Sequence, residues 1–407
     1  MKTYDIIIIG GGPGGLAAGI YGSRARLKTA IIEKGTPGGQ AATTMEMENI
    51  PGFFGDITGP AIMKQYAAHA EHFGAEIIKG LVTDVRLDEP IKKVITASGE
   101  EYHARAVILS PGAEPRTLSI EGEKELRGRG VSYCATCDAG FYEGLDVVII
   151  GNGDAAIEEA IYLTKFAETV TVIVIHDEGI LDCNKASAEK AFKNPKIKWV
   201  WNSTLEKISG DELVESVVLK NIKTGKLTEL QTNGVFFFIG TAPNTHFLID
   251  KVALDEHGYI ITNEFMETNK PGVYAIGDAR EKYLRQVITA AADGVIAAVA
   301  AEKYLEEMDT LREVVLESEL PVLLVFWSPQ VEKSIEAIGE IESAIEKTDG
   351  KVTLIKFDTS RYRKTSETYA VTKIPTVILF NNATPQSRLE GNFTTQDILD
   401  VILNPNP

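Results

Sequence analysis

Cysteine is almost missing from this chain: Cys134, Cys137 and Cys183 are the only three in 407 residues. So few thiols exclude a disulfide framework and point to a reducing compartment, the cytoplasm. Long apolar runs are missing too, and without 18 consecutive apolar residues no membrane span is expected. The richest stretch, residues 288–302, is alanine-rich and broken by Asp293, which reads as a tightly packed helix. The isoleucine run at residues 6–9 is too short for a signal-peptide core and ends in glycine, as a buried parallel strand does. Positive charge is in deficit: 41 Lys and Arg against 58 Asp and Glu leave a net charge of −17. That balance argues against nucleic acid or an anionic membrane as a partner. Arginine is absent altogether between Arg129 and Arg280. A hydrophobic content of 44% and a charged content of 24% are those of an ordinary globular protein, and the length suits two to three domains.

What is present is organised around glycine. After the isoleucine strand comes Gly10-Gly11-Gly12-Pro13-Gly14-Gly15, in which Gly10, Gly12 and Gly15 satisfy G-x-G-x-x-G. A helical stretch follows, then a second apolar strand at residues 29–32 that ends at Glu33, 23 residues beyond Gly10. The glycines permit a tight turn and close approach of a pyrophosphate to a helix N-terminus, and the acid is placed for ribose hydroxyls. A lone glycine turn would say little, but strand, turn, helix, strand and acid together read as a dinucleotide site. A second cassette repeats the order: a strand at residues 146–150, then Gly151-Asn152-Gly153-Asp154-Ala155-Ala156 (G-x-G-x-x-A), a helix over 157–163 and a strand over 170–175. Two such units suggest a flavoprotein passing electrons between nucleotide sites.

Just before the second cassette stands Cys134-Ala135-Thr136-Cys137-Asp138. A C-x-x-C pair can be half of a zinc site or a chance spacing. No second pair completes a metal site, and His103 and His176 stand alone, so no metal is expected. Beside two nucleotide cassettes the pair reads as a redox disulfide.

With these motifs in place, residues 1–308 resemble the low-molecular-weight thioredoxin reductases. The resemblance also rests on Gly38-Gly39-Gln40, Glu48-Asn49-Ile50-Pro51-Gly52, Gly240-Thr241-Ala242-Pro243-Asn244-Thr245, Gly277-Asp278-Ala279 and Arg285-Gln286-Val287-Ile288-Thr289-Ala290. It implies an α/β fold: a doubly wound FAD-binding domain in two segments, residues 1–117 and 245–308, with a second nucleotide-binding-like domain, 118–244, inserted between them. It also implies a homodimer, with Gly10, Gly12, Gly15, Glu33, Gln40, Asn49, Asp278 and Gln286 as FAD contacts. Cys137 would face the flavin, Cys134 would attack the disulfide of a thioredoxin-like partner protein, and Asp138 would manage the thiol proton. An exchange of this kind needs a thiolate and a group to shuttle its proton. Ser110-Pro111-Gly112 departs mildly from the family's Ala-Thr-Gly, and Cys183 matches no family motif.

One departure bears on the electron donor. NADPH-using members carry His-Arg-Arg-x-x-x-Arg after the second strand of the inserted domain, and this chain reads His176-Asp177-Glu178-Gly179-Ile180-Leu181-Asp182. A dianionic 2′-phosphate beside Asp177 and Glu178, with no guanidinium to pair it, would be repelled. NAD(P)H is therefore doubtful as the donor. Asp177, 26 residues past Gly151, keeps NADH open, and a protein donor such as ferredoxin is the remaining choice, as in family members with degenerate motifs. An acidic ferredoxin would need a basic patch, for which Arg24, Arg26, Lys28, Arg127 and Arg129 are candidates against the simpler reading of solvated surface charge.

Residues 309–320 are acidic and read as a helical linker. Residues 321–407 then alternate strand (322–326), helix (334–347), strand (352–357), helix (365–369), strand (376–380) and helix (395–403). With Trp327 and Lys373-Ile374-Pro375-Thr376 the order resembles a thioredoxin domain, Pro375 standing for its cis-proline. Ser328-Pro329-Gln330-Val331 replaces the redox pair, so this unit cannot exchange disulfides and serves docking, regulation or structure. The chain is expected to be an FAD-dependent thioredoxin-disulfide reductase, or else a flavin and disulfide redox sensor whose C-terminal unit binds a partner.

Overall fold

The computed structural model describes residues 2–43, 47, 49–53, 55 and 57–404. Four isoleucines in a row suit a strand buried on both faces, because β-branched side chains pack well on a pleated surface. Lys2–Ile9 is that strand, and it starts four residues earlier than the isoleucine run. It lies parallel between Thr29–Glu33 and Glu101–Leu109. The sheet continues outward through Glu76–Lys79 on one side and through the antiparallel strands Lys92–Thr96 and Val82–Arg86 on the other. Late in the chain, Val273–Ala275 returns to pair parallel with Val107–Leu109, which closes a domain built from two segments.

The inserted domain leaves and rejoins this body through two short strands, Ala113–Pro115 and Thr241–Pro243, which pair antiparallel with each other. Its core is a five-stranded parallel sheet in the order Ile197–Val200, Thr169–Ile173, Asp146–Ile150, Gly234–Phe237, Val131–Ser132. A three-stranded antiparallel sheet, Ser203–Ser209, Ser216–Asn221 and Leu227–Gln231, packs beside it; polar residues on its outer face mask its periodicity in the sequence.

The alanine-rich stretch is a helix, Val287–Leu311, packed on the helix Pro13–Arg24 that follows the first glycine turn. The contact is close enough that a Cβ on Gly294 would stand 2.2 Å from the Gly14 carbonyl oxygen, and one on Gly14 2.9 Å from that of Ala290. Each interior glycine costs a helix about 1 kcal/mol relative to alanine; here the cost is offset by backbones that approach directly. The same helix runs on through a π-helical turn, Arg312–Leu316, into the C-terminal unit. Residues 309–320 are therefore not a free linker: Leu311 and Val315 are buried in the C-terminal core with Leu324, Phe326 and Phe380.

That unit is a four-stranded sheet in the order Thr353–Asp358, Val322–Trp327, Thr376–Asn381, Thr384–Glu390, with helices Glu332–Glu346, Arg363–Thr368 and Thr395–Leu403. The last strand was hidden in the sequence by its exposed, polar composition. The Ile374–Pro375 bond is cis. Among the described residues no helix is long and apolar enough to cross a membrane, and no cluster of potential metal ligands occurs.

Candidate functional site

The first glycine turn is shaped by close approach. Gly10 has φ +105°, a left-handed conformation, and a Cβ there would stand 2.1 Å from the Ser110 carbonyl oxygen. A Cβ on Gly15 would stand 1.9 Å from the carbonyl oxygen of Gly10. Gly12 differs: nothing lies within 4 Å of its missing Cβ, so the turn opens there onto free space. The helix behind it begins at Pro13 with no side chain capping its N-terminus. Glu33, at the end of the second strand, is buried and accepts from Gly11 N–H at 2.6 Å and Gly35 N–H at 2.8 Å. Gln40 donates to the Ala113 carbonyl, and Gly39 lies against Gly12. Glu48 of the neighbouring motif lies outside the described residues, whereas Asn49 is within them.

Two more of the expected residues come from the far end of the chain. Asp278 sits on the turn Gly277–Ala279, and its buried Oδ1 has no hydrogen-bond partner. Burial pushes its carboxyl above the ordinary range, opposed by Lys282 and Arg285 and reinforced by Asp293. Gln286 caps the helix Val287–Leu311 and accepts from Asn49 Nδ2 at 3.0 Å. The open cradle at Gly12, the uncapped helix and the orphaned Asp278 oxygen fit a flavin dinucleotide: one end offers donors to phosphate and the other an acceptor for sugar hydroxyls.

Cys134 and Cys137 form a disulfide at the turn Ala135–Asp138, with Cα atoms 5.3 Å apart. The bridge lies against Asn49 and Gln286: Asn49 Nδ2 is 3.9 Å from Cys137 Sγ, and Gln286 places Nε2 3.8 Å from Cys134 Sγ and Oε1 4.0 Å from Cys137 Sγ. Asp138 stands directly behind it. Desolvation raises its carboxyl above the usual range, partly countered by the Ser132 hydroxyl, which donates to Oδ2 at 2.5 Å. The same hydroxyl accepts from Cys134 N–H at 3.1 Å, so Ser132 joins the acid to the thiol segment. Serine two residues before a C-x-x-C carries no signal of its own, and only the fold reveals it.

The second glycine turn has the same backbone with a different rim. Gly151 has φ +129°, and the space at Gly153 is open. Asn152 Nδ2 is buried without a partner. Around the turn stand Asp154, which accepts from Asn184 N–H at 2.7 Å, and Asp182, whose main chain bridges Gly153 and whose Oδ2 lies 2.9 Å from His176 Nε2. Asp177 is exposed and paired with Lys223, a cation 46 residues away in sequence on the turn between the strands Ser216–Asn221 and Leu227–Gln231. Cys183 is half-buried beside Asp154 and Asp182, and its thiol is pushed up mainly by burial. Among the candidate surface cations, Arg24 lies over the Tyr21 and Phe73 rings and Arg127 over Tyr133.

In the C-terminal unit Ser328 is buried: its N–H donates to Ser334 Oγ at 3.1 Å and its Oγ accepts from Gln330 N–H at 3.2 Å. Beside the cis-proline runs a groove of about 540 Å³ lined by Thr359, Arg363, Ser366, Lys373 and Ile374. The unit is latched to the main body at Glu267, which receives Arg363 at 2.5 Å and Lys364 at 3.1 Å, and at Glu307, which accepts from Thr365 N–H. Burial opposes the Glu267 charge, yet Arg363, Asn263 and Lys364 together hold its carboxyl below the usual range.

Comparison with known proteins agrees with this layout. The family model for pyridine nucleotide-disulphide oxidoreductases matches residues 4–294, and that for thioredoxin matches 303–404. The chain is 50% identical over 311 residues to a thioredoxin reductase of Peptoclostridium acidaminophilum, covering 75% of this chain and 98% of that one. It is 36% identical over 449 aligned positions to the bifunctional thioredoxin reductase/thioredoxin of Mycobacterium leprae, covering 99% of this chain and 98% of the relative. Among solved structures, thioredoxin reductase from Streptococcus pyogenes superposes with a TM-score of 0.71 at 42% identity, over 75% of this chain and 99% of the other.

Proposed function

The chain belongs to the pyridine nucleotide-disulphide oxidoreductase family, as an FAD-dependent thioredoxin-disulfide reductase joined to a C-terminal thioredoxin domain, and we propose that Cys134 and Cys137 carry its electrons to a thioredoxin-type protein from a donor other than NADPH. The observation that supports this most directly is the packing of both sulfur atoms against Asn49 and Gln286, at the mouth of the flavin cradle. Gly10, Gly12, Gly15, Glu33, Gln40, Asn49, Asp278 and Gln286 would hold FAD, which supplies the electron pair that opens the disulfide. In the dithiol form the Cys134 thiolate attacks one sulfur of the partner's disulfide, forming a mixed disulfide and expelling the other sulfur as thiolate. Asp138, kept protonated more readily than an ordinary carboxyl by its burial, delivers a proton to a departing thiolate. Cys137 then attacks Cys134 Sγ, which restores the pair and frees the partner as a dithiol.

The donor reading rests on the rim of the second glycine turn. Asp177, Glu178 and Asp182 stand where NADPH-using members carry arginines, and Lys223 reaches only Asp177. A 2′-phosphate would meet carboxylates with no fork to clamp it. A reduced ferredoxin fits the requirement for a donor that leaves this turn unused. A second reading, NADH, is favoured by two features: the free space at Gly153 and the unpaired buried Asn152 amide, both suited to a pyrophosphate.

Anaerobic titration of the purified flavoprotein separates these cases. Reduced ferredoxin is expected to bleach the flavin band, and NADPH is expected to leave it nearly unchanged. Rapid bleaching by NADPH would overturn the donor reading, and bleaching by NADH alone would select the second. For the exchange itself, Cys134→Ser is expected to keep bound yellow FAD and lose all reduction of a thioredoxin substrate; retained turnover would rule out Cys134 as the attacking thiol.

A further inference from the structure

Asp293 is an unusual residue in the middle of an alanine-rich helix: its side chain is 9% exposed and no element of the exchange chemistry uses it. Burying a carboxylate is costly unless hydrogen bonds and counter-charges replace water. Here three donors converge on one oxygen. Gly277 N–H reaches Asp293 Oδ2 at 3.0 Å, Arg280 Nε at 3.1 Å and Lys282 Nζ at 2.7 Å. All three come from the segment 277–282, which wraps around the carboxylate. Arg280 is held in turn by Thr262 Oγ1 at 3.1 Å, and the Lys282 side chain is only 6% exposed.

The residue inside that wrap is Asp278. Its peptide follows Gly277, which has φ +69°, so the bond from Asp293 to Gly277 N–H sets the direction in which the Asp278 side chain leaves the turn. Burial pushes the Asp278 carboxyl up and Asp293 adds to the rise, while Lys282, one of the two cations drawn to Asp293, opposes it. On the other side of the helix the neighbour Gly294 meets the Gly14 carbonyl, and two turns earlier the helix begins at Gln286. Residues 293 and 294 thus tie the glycine turn, the Asp278 turn and the disulfide-facing cap to one helix.

We propose that Asp293, with Lys282 and Arg280, is a positioning residue for the flavin: it aims the Asp278 carboxylate at the sugar-alcohol chain of FAD. The inference rests on the reading that Asp278 contacts FAD, and the experiment tests the two separately. FAD affinity is measured on full-length apoprotein by flavin fluorescence for wild type, Asp278→Ala, Asp293→Ala and the double variant, with thermal unfolding of each apoprotein alongside. Both single variants are expected to weaken binding by about tenfold or more. The double variant is expected to bind no worse than Asp278→Ala, because Asp293 acts through that residue. Losses that multiply in the double variant would reduce Asp293 to a structural role and overturn the proposal. Wild-type affinity in Asp278→Ala would overturn the parent reading instead, whereas normal affinity in Asp293→Ala alone would sink only the positioning role. If Asp293→Ala does not fold, Asp293→Asn replaces it in the same cycle and Lys282→Met provides an independent break of the wrap. Unchanged affinity in both of these would also overturn the proposal.

Discussion

The two glycine turns of this protein share a backbone and differ in everything that surrounds it. Each follows a parallel strand, each begins with a glycine at positive φ, and each leaves open space at its middle glycine. Around the first, the acid Glu33 is buried and satisfied by two backbone N–H groups, and the Asp278 oxygen waits unpaired. Around the second, Asp154, Asp177 and Asp182 pair with Asn184, Lys223 and His176, and Glu178 adds a fourth carboxylate beside Asp177. A glycine cradle is a general device for admitting phosphate. Between these two cradles it is the charge on the rim that differs.

The sharpest way to break this comparison is to fill each cradle in turn. Gly12→Val is expected to abolish FAD retention while the apoprotein still folds, since its Cβ meets no protein atom. Gly153→Val is expected to leave ferredoxin-driven thioredoxin reduction within about twofold of wild type, and a collapse of that activity would show the second cradle to be occupied in turnover. Between the cradles sits the exchange chemistry, where Asp138→Asn is expected to lower turnover by about 100-fold. Because burial holds the Asp138 carboxyl above its usual range, its ionisation disfavours the native state. Stability should therefore decline as pH rises from the ordinary carboxyl range through the shifted one, and the Asn variant should lose that part of the pH dependence in unfolding titrations. A smaller effect is expected on the rim: Asp177→Arg, Glu178→Arg and Asp182→Arg together should raise the rate of flavin reduction by NADPH about tenfold, measured by stopped-flow absorbance. The C-terminal latch bears on stability rather than on turnover: Glu267→Ala should destabilise the chain by about 2 kcal/mol at neutral pH. The Glu267 carboxyl is held low, so the difference from wild type should vanish as pH falls below the ordinary carboxylate range through the lowered value, as read by thermal unfolding.

What the sequence made legible follows from the range over which each signal acts. Gly10, Gly12, Gly15 and Glu33 form one contiguous strand–turn–helix–strand unit, and the spacing alone announces its geometry. Cys134, Cys137 and Asp138 are equally local. Ser132, Asp293 and Lys223 are not: each acquires its meaning from a partner supplied by a turn or by another element. Asp293 reads in the sequence only as an interruption of an apolar helix, although in the fold it gathers three donors from a segment that precedes it. Lys223 likewise shows that arginine content alone does not describe the second rim, since a turn of the antiparallel sheet delivers a lysine to Asp177. The helical character of residues 309–320 was readable from composition, but not the burial of Leu311 and Val315, which depends on what the helix meets at its end.

The helix Val287–Leu311 is also a ruler. At 1.5 Å per residue its 25 residues span about 37 Å, with the disulfide-facing Gln286 at one end and the C-terminal core at the other. Two modules joined by slack chain meet often, because tethering raises the effective concentration of one near the other. A continuous helix with a latch at Glu267 does the reverse: it fixes the interval and removes the search. The thioredoxin fold carried by this chain thus sits at the opposite end of that helix from Gln286, and Arg363, which lines the groove beside Pro375, is itself part of the latch.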